Sequence, residues 1–112
     1  MSNPSKRKGT AWEVDCRDHL RCVFPEVERL PTEGQHDRGD LGHVGPWAIE
    51  CKAERAINLA GYMDEAVREA GNAGKPYPVV FVKRRNRRVG DGYAVMRIDD
   101  WLRVASQLEG VG

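Results

Sequence analysis

The stretch Asp40-Leu41-Gly42-His43-Val44-Gly45-Pro46-Trp47-Ala48-Ile49-Glu50-Cys51-Lys52 decides how the chain is read. Gly45-Pro46 is a turn signal. On either side of it, Asp40 to Val44 and Trp47 to Ala53 read as two strands. Strand alternation then puts Ile49 and Cys51 on one face of the second strand and Glu50 and Lys52 on the other. A carboxylate and an ammonium emerge side by side from an otherwise apolar strand.

Upstream of this pair, Pro31 to Arg38 is a polar stretch containing Gly34, and Val27 to Leu30 reads as a short strand. Further back, Trp12, Cys16, Leu20 and Val23 recur at spacings of four, four and three, which predicts one buried helical face over Thr10 to Phe24. Pro25 ends that helix. Downstream, Leu59, Met63, Ala66, Val67 and Ala70 form the apolar stripe of a second helix over Asn58 to Ala70, closed by Gly71 and Gly74. The continuous apolar run Pro78 to Val82 predicts a strand covered on both faces. Tyr93 to Ile98 pairs with it after a turn through Gly90-Asp91-Gly92. Asp99 or Asp100 then caps a closing helix that ends near Gly110. The order helix, three strands, helix, two strands, helix predicts an α/β domain with a mixed sheet flanked by helices.

A chain of 112 residues fits one domain and one core, so residues 1–112 are read as a single unit with residues 1–8 as a flexible basic arm. With 40% apolar and 31% charged residues the composition suits a globular fold and excludes a disordered chain. No apolar run approaches the roughly 20 residues needed to cross a bilayer, and the polar N-terminus lacks a signal-peptide stretch, which predicts a cytoplasmic protein. Cys16, Cys22 and Cys51 are odd in number and lack CxxC spacing, so they read as reduced thiols. The net charge of +1 gives no support to nucleic-acid binding, but its distribution does. Lys6 to Lys8 and Lys83 to Arg88 are basic clusters, while acidic residues concentrate between Glu26 and Glu69.

Hydrolysis of a phosphodiester requires an activated water, neutralisation of charge on the transition state and stabilisation of the leaving alkoxide. A Mg²⁺ ion held by carboxylates can supply all three. Asp40 and Glu50 can converge on such an ion, the Cys51 backbone carbonyl is a further oxygen donor, and Lys52 can orient water or offset negative charge. The plain alternative is a solvated Glu-Lys pair on an exposed strand face.

These residues together resemble the Holliday junction resolvase branch of the PD-(D/E)xK nucleases, small proteins of archaea and of some viruses of bacteria. The resemblance covers nearly the whole chain. Lys6-Arg7-Lys8-Gly9 followed by Glu13 matches the family's basic segment, glycine and helical glutamate. Arg29 matches its first-strand arginine, Asp40 its metal-binding aspartate, Glu50 and Lys52 its ExK pair, and Pro78 to Val82 its Pro-Val strand. The resemblance implies a restriction-endonuclease-like sheet and a catalytic set of Glu13, Asp40, Glu50 and Lys52. It implies Mg²⁺, with Mn²⁺ substituting, bound by Glu13, Asp40, Glu50 and the Cys51 carbonyl. It further implies a homodimer acting on four-way DNA junctions in recombination and repair. Lys6, Arg7, Lys8, Arg29, Arg38, Arg84, Arg85, Arg87 and Arg88 are the expected DNA contacts. The chain departs from the family at the loop Thr32 to His36, at Gly39 in place of a proline, and at Val14 in place of an arginine.

Other readings stand beside these. A nickase or flap nuclease would use the same four residues, and a DNA-binding accessory would keep the fold without turnover. Glu13 can pair with Arg17 at i,i+4 on the helix surface. Cys16, His19 and Cys22 suggest zinc but lack a fourth ligand. His36 and His43 flank Asp40 as metal ligands or proton shuttles, or as solvated loop residues. Trp12, Trp47 and Trp101 are expected in the core or a dimer interface.

Overall fold

The computed structural model describes residues 4–110, with side chains from Arg7 onward except that of Lys8. It contains three helices and one five-stranded mixed sheet. Helix α1 spans Pro4–Leu20, strands β1, β2 and β3 span Glu28–Arg29, Leu41–Gly42 and Trp47–Lys52, and α2 spans Leu59–Ala73. Strands β4 and β5 span Tyr77–Val82 and Tyr93–Val95, and α3 spans Ile98–Leu108. Short 3₁₀ turns occupy Gly34–His36 and Val89–Asp91. The Cα radius of gyration of 14.0 Å is near the roughly 13 Å of one compact domain of this length. Among the described residues no helix is long and apolar enough to cross a membrane.

The sheet runs β1-β2-β3-β4-β5, antiparallel throughout except between β3 and β4. That central pair is parallel, with Glu50 opposite Val80 and Cys51 opposite Phe81. A parallel pair needs a crossover, and α2 supplies it. Asn58 caps α2 by accepting from the Gly61 N–H at 3.0 Å, and Gly74 at φ 65° ends it in the left-handed region.

Each face of the sheet carries its own core. Trp12 and Cys16 of α1 pack on Leu41, Ile49, Cys51 and Val79, and the Trp12 indole N–H donates to the Phe81 carbonyl at 2.9 Å. Tyr62 and Ala66 of α2 pack on Val80 and Val82. Even positions of β3 therefore face α2 and odd positions face α1, as the alternation of Ile49, Glu50, Cys51 and Lys52 predicts.

Several boundaries differ from the sequence expectation. Helix α1 begins at Pro4, ahead of Thr10, so the basic run 6–8 is continuous with the helix; Lys and Arg propagate a helix well and Pro is tolerated in its first turn. It also stops at Leu20, where the Phe24 N–H bonds back to the Leu20 carbonyl, and Val23 is exposed outside the apolar face. Gly71 lies inside α2 and only Gly74 ends it. Neither Asp99 nor Asp100 caps α3: Arg97 holds the cap position and Asp100 is buried in the first turn, accepting from Arg97 Nε at 2.8 Å and Arg103 Nη2 at 2.6 Å. Strand β5 ends at Val95, and Ile98 starts α3 instead. Trp12 is in the core and Trp47 packs against Tyr77 with ring centroids 5.2 Å apart and planes tilted by 43°, whereas Trp101 is exposed with Ile98, Leu102 and Leu108.

Candidate metal centre

The centre is built around β3. The Asp40 N–H donates to the Ile49 carbonyl at 2.8 Å, its carbonyl accepts from the Leu30 N–H at 2.9 Å, and its Oδ2 accepts from the Cys51 N–H at 2.7 Å. Asp40 is thereby fixed between β1 and β3 by main chain and side chain together. Gly39 makes this approach possible. Its φ is 101°, and a Cβ there would stand 3.0 Å from the Ile49 carbonyl oxygen. Proline, confined to φ near −65°, cannot take this conformation. The N–H and C=O of one strand residue point to the same side, so the Cys51 carbonyl also faces Asp40.

Glu50 projects from β3 toward α2 and is only 5% exposed. There it meets Glu65 and Glu69, one helical turn apart, and a carboxylate oxygen from each of the three lies within 4.8 Å of the others. Glu69 is 2% exposed. Glu50 Oε2 and Glu69 Oε2 are buried and meet no donor among the described residues, so the two carboxyls can bond only by sharing a proton. Burial pushes the Glu50 carboxyl far above the ordinary carboxylate range, reinforced by its contact with Glu69 and the negative charge of Asp40. Burial likewise raises Asp40 and Glu69.

Lys52 Nζ stands 2.8 Å from Glu65 Oε2 and 3.7 Å from Glu50 Oε1, above the Tyr62 ring. Burial disfavours its charge, but the bond it donates to Glu65 and the neighbouring carboxylates outweigh that and keep it an ammonium. Lys52 also lines a cleft of about 650 Å³ at the ends of β3 and β4, together with Glu54, Arg55, Lys83, Arg85 and Asn86. Lys52 is already paired with Glu65 and Glu50, and the other cations of the cleft, Arg55, Lys83 and Arg85, outnumber its one lining carboxylate, Glu54, so the cleft suits a phosphate backbone.

The structure therefore brings Asp40, Glu50 and Lys52 together as the sequence predicts. Glu13 faces the same region. Burial and the charge of Asp40 raise its carboxyl above the usual range, while Arg29 acts against them. It accepts from Arg29 Nε and Nη2, both at 3.3 Å, and lies outside the tight group of three. The Glu13–Arg17 pair does not form, because Arg17 turns to Asp18 at 3.0 Å. Arg29 and Arg38 are committed to ion pairs, with Glu13 and with Glu33 at 3.4 Å. Arg84, Arg85, Arg87 and Arg88 are exposed between β4 and β5, and Arg7 is exposed on α1. The side chains of Lys6 and Lys8 lie outside the described residues. Cys16 is buried while His19 and Cys22 are exposed, and among the described residues they form no metal-ligating group. His36 is exposed, and His43 pairs with Glu28 at 3.1 Å, away from the carboxylates.

Sequence reasoning missed Glu65, Glu69 and Arg55, and it read Lys83 only as part of the basic run Lys83 to Arg88. One signal for Glu69 was present: it falls three residues after Ala66 and one before Ala70, inside the buried stripe of α2, where a charged residue is out of place unless it has a partner. The buried oxygens without donors fit a hard divalent cation, which takes carboxylate and carbonyl oxygens. Nothing matches the chain among protein-family models, curated proteins or solved structures.

Proposed function

We propose that the chain is a metal-dependent DNA endonuclease of the PD-(D/E)xK kind, with a restriction-endonuclease-like arrangement of its sheet, and that it resolves four-way DNA junctions during recombination and repair. The observation that carries this reading is the buried pair of donorless carboxylate oxygens on Glu50 and Glu69, set beside Asp40 and Lys52. Mere DNA binding does not require carboxylates held out of water at such cost.

Asp40, Glu50 and the Cys51 carbonyl would hold Mg²⁺ or Mn²⁺, with Glu13 close enough to act through water. A divalent cation there supplies positive charge to the phosphate and makes a water nucleophilic near neutral pH. The chain's own residues do the rest. Lys52, held as an ammonium by Glu65 and Glu50, presents its charge at the floor of the cleft, where negative charge develops on the phosphate during attack. Lys83, Arg85 and Arg55 line the same cleft and would seat the neighbouring phosphates. Contacts of this kind read backbone position and branch shape, not base identity. Two symmetric incisions across a junction require two sites, and a homodimer supplies them.

Cleavage of a labelled four-way junction, beside a matched linear duplex and a flap, tests the reading with Mg²⁺ or EDTA for the wild type and Asp40→Asn. Asparagine keeps an oxygen to accept the Cys51 N–H, so the variant should fold. Metal-dependent paired incisions of the junction, lost in Asp40→Asn, support a resolvase. Equal cutting of all three substrates indicates a general nuclease, preferential cutting of the flap indicates a flap nuclease, and binding without cutting under any metal indicates a DNA-binding accessory.

A further inference from the structure

We infer that Glu69 of α2 is a divalent-cation ligand alongside Glu50, so that the metal centre is closed from the helix side by a residue outside the strand motif. The inference rests on the metal-centre reading above but not on the identity of the DNA substrate.

Three observations lead to it. The ligand oxygens of Glu50, Glu65 and Glu69 lie within 4.8 Å of one another, a spacing that one cation can bridge. Glu69 is 2% exposed, and its Oε2 is buried without a hydrogen-bond partner among the described residues, as is Oε2 of Glu50. The cationic side chain inside the group, Lys52, is already used: its Nζ sits 2.8 Å from Glu65 Oε2 and 3.7 Å from Glu50 Oε1. The uncompensated oxygens are therefore those of Glu50 and Glu69, not of Glu65.

The helix is built for this approach. Ala66 and Ala70 flank Glu69 on the buried stripe of α2, and both are nearly inaccessible. Their small side chains let the helix axis come close to β3, so that a glutamate can reach across. Glu65, one turn earlier, is 33% exposed in its side chain and ion-paired, which makes it the positioning residue for Lys52. The two glutamates of α2 thus divide their tasks: one holds the ammonium and the other holds the cation.

The competing account is a purely structural pair in which Glu50 and Glu69 share a proton and no ion is involved. Mn²⁺ binding to the full chain, followed by calorimetry without DNA at mildly alkaline pH, separates the two. Glu69→Gln retains a hydrogen-bonding group for Glu50, so a structural pair survives the change. The expected result is that Glu69→Gln weakens Mn²⁺ by about tenfold or more, while Glu65→Gln, which removes the same charge one turn away, changes affinity by less than about fivefold. Equal Mn²⁺ affinity in wild type and Glu69→Gln overturns the inference, as does an equal loss in both variants or a wild type that binds no Mn²⁺. Should Glu69→Gln fail to fold, the carboxyl carbon resonances of the wild type titrated with Mg²⁺ decide the matter. Saturable shifts of both Glu50 and Glu69 support ligation, and a shift of Glu50 alone overturns it. Junction cleavage is scored separately, so a protein that binds Mn²⁺ through Glu69 and cuts nothing would leave this inference standing and remove the nuclease reading.

Discussion

Lys52 reaches from β3 to helix α2, where its Nζ lies 2.8 Å from Glu65 Oε2. The ammonium of the strand motif is thus aimed by a residue of the crossover helix, and the orientation of Lys52 depends on how α2 docks against the sheet. This pairing makes Glu65 a positioning residue with a measurable signature.

Glu65→Gln should lower kcat on junction DNA by roughly tenfold to a hundredfold through misplacement of Lys52, with little change in KM. Stability should fall by no more than about 1 kcal/mol, because Glu65 is partly exposed and solvent screens the pair. The alkaline limb of the pH–rate profile should move to lower pH, since the carboxylate that favours the ammonium is gone. An unchanged profile would show that Lys52 is aimed by other groups.

The carboxylate cluster predicts an unusual pH dependence for the metal-free protein. The Glu50 carboxyl is raised from 4.5 to about 11, and Asp40, Glu69 and Glu13 are raised as well. An acid that holds its proton more tightly when folded adds stability below its unfolded value, and that contribution is lost as pH rises toward the folded value. In EDTA, thermal unfolding should therefore occur at progressively lower temperature as pH rises from about 5 to about 10. Saturating Mg²⁺ or Mn²⁺ should remove most of that slope, because the cation takes the place of the protons. A melting temperature flat across this range in EDTA would contradict the buried cluster.

Gly39→Ala should be costly out of proportion to its size. The residue sits at φ 101° with the Ile49 carbonyl oxygen 3.0 Å from the added Cβ. A strained backbone of this kind costs about 1–3 kcal/mol, and relief by movement would carry Asp40 away from the Cys51 N–H. Chemical denaturation should show the stability loss, and Mn²⁺ affinity should fall with it. Retention of both would mean that the loop can shift without disturbing Asp40.

Replacing Arg85, Arg87 and Arg88 together by alanine should leave the fold intact, since all three are exposed. It should weaken junction binding and flatten its salt dependence by about 0.9 in log-log slope for each phosphate that the variant no longer neutralises. Binding measured as a function of salt would show this directly. A weaker affinity with an unchanged slope would place the DNA elsewhere on the surface.

What the sequence by itself determined is the local geometry of the motif. A strand has a period of two, so Glu50 and Lys52 had to share a face and Cys51 had to take the other, whatever the rest of the chain did. The alternation of helix and strand signals likewise implied a mixed sheet with a helical crossover, and the sheet has one. The ends of α2 were legible to within a few residues from Asn58 and Gly74, although Asn58 proved to be the cap and Gly71 lies inside the helix. Helix ends without such signals were not: α1 runs on to Pro4 although Gly9 lies inside it and Lys6, Arg7 and Lys8 place positive charge near its N-terminus.

Only the tertiary structure decided that Glu65 and Glu69 join Glu50 and Lys52, that the Asp40 carboxylate is pinned by the Cys51 N–H, and that Lys83 and Arg55 share a cleft with Lys52. Periodicity states which residues of an element lie on one face. It does not state which faces meet, at what register, or how closely. Those follow from the parallel pairing of β3 with β4 and from the small residues Ala66 and Ala70, which let α2 settle against the strand. A buried carboxylate becomes a candidate ligand only once packing has removed water and brought a second one beside it.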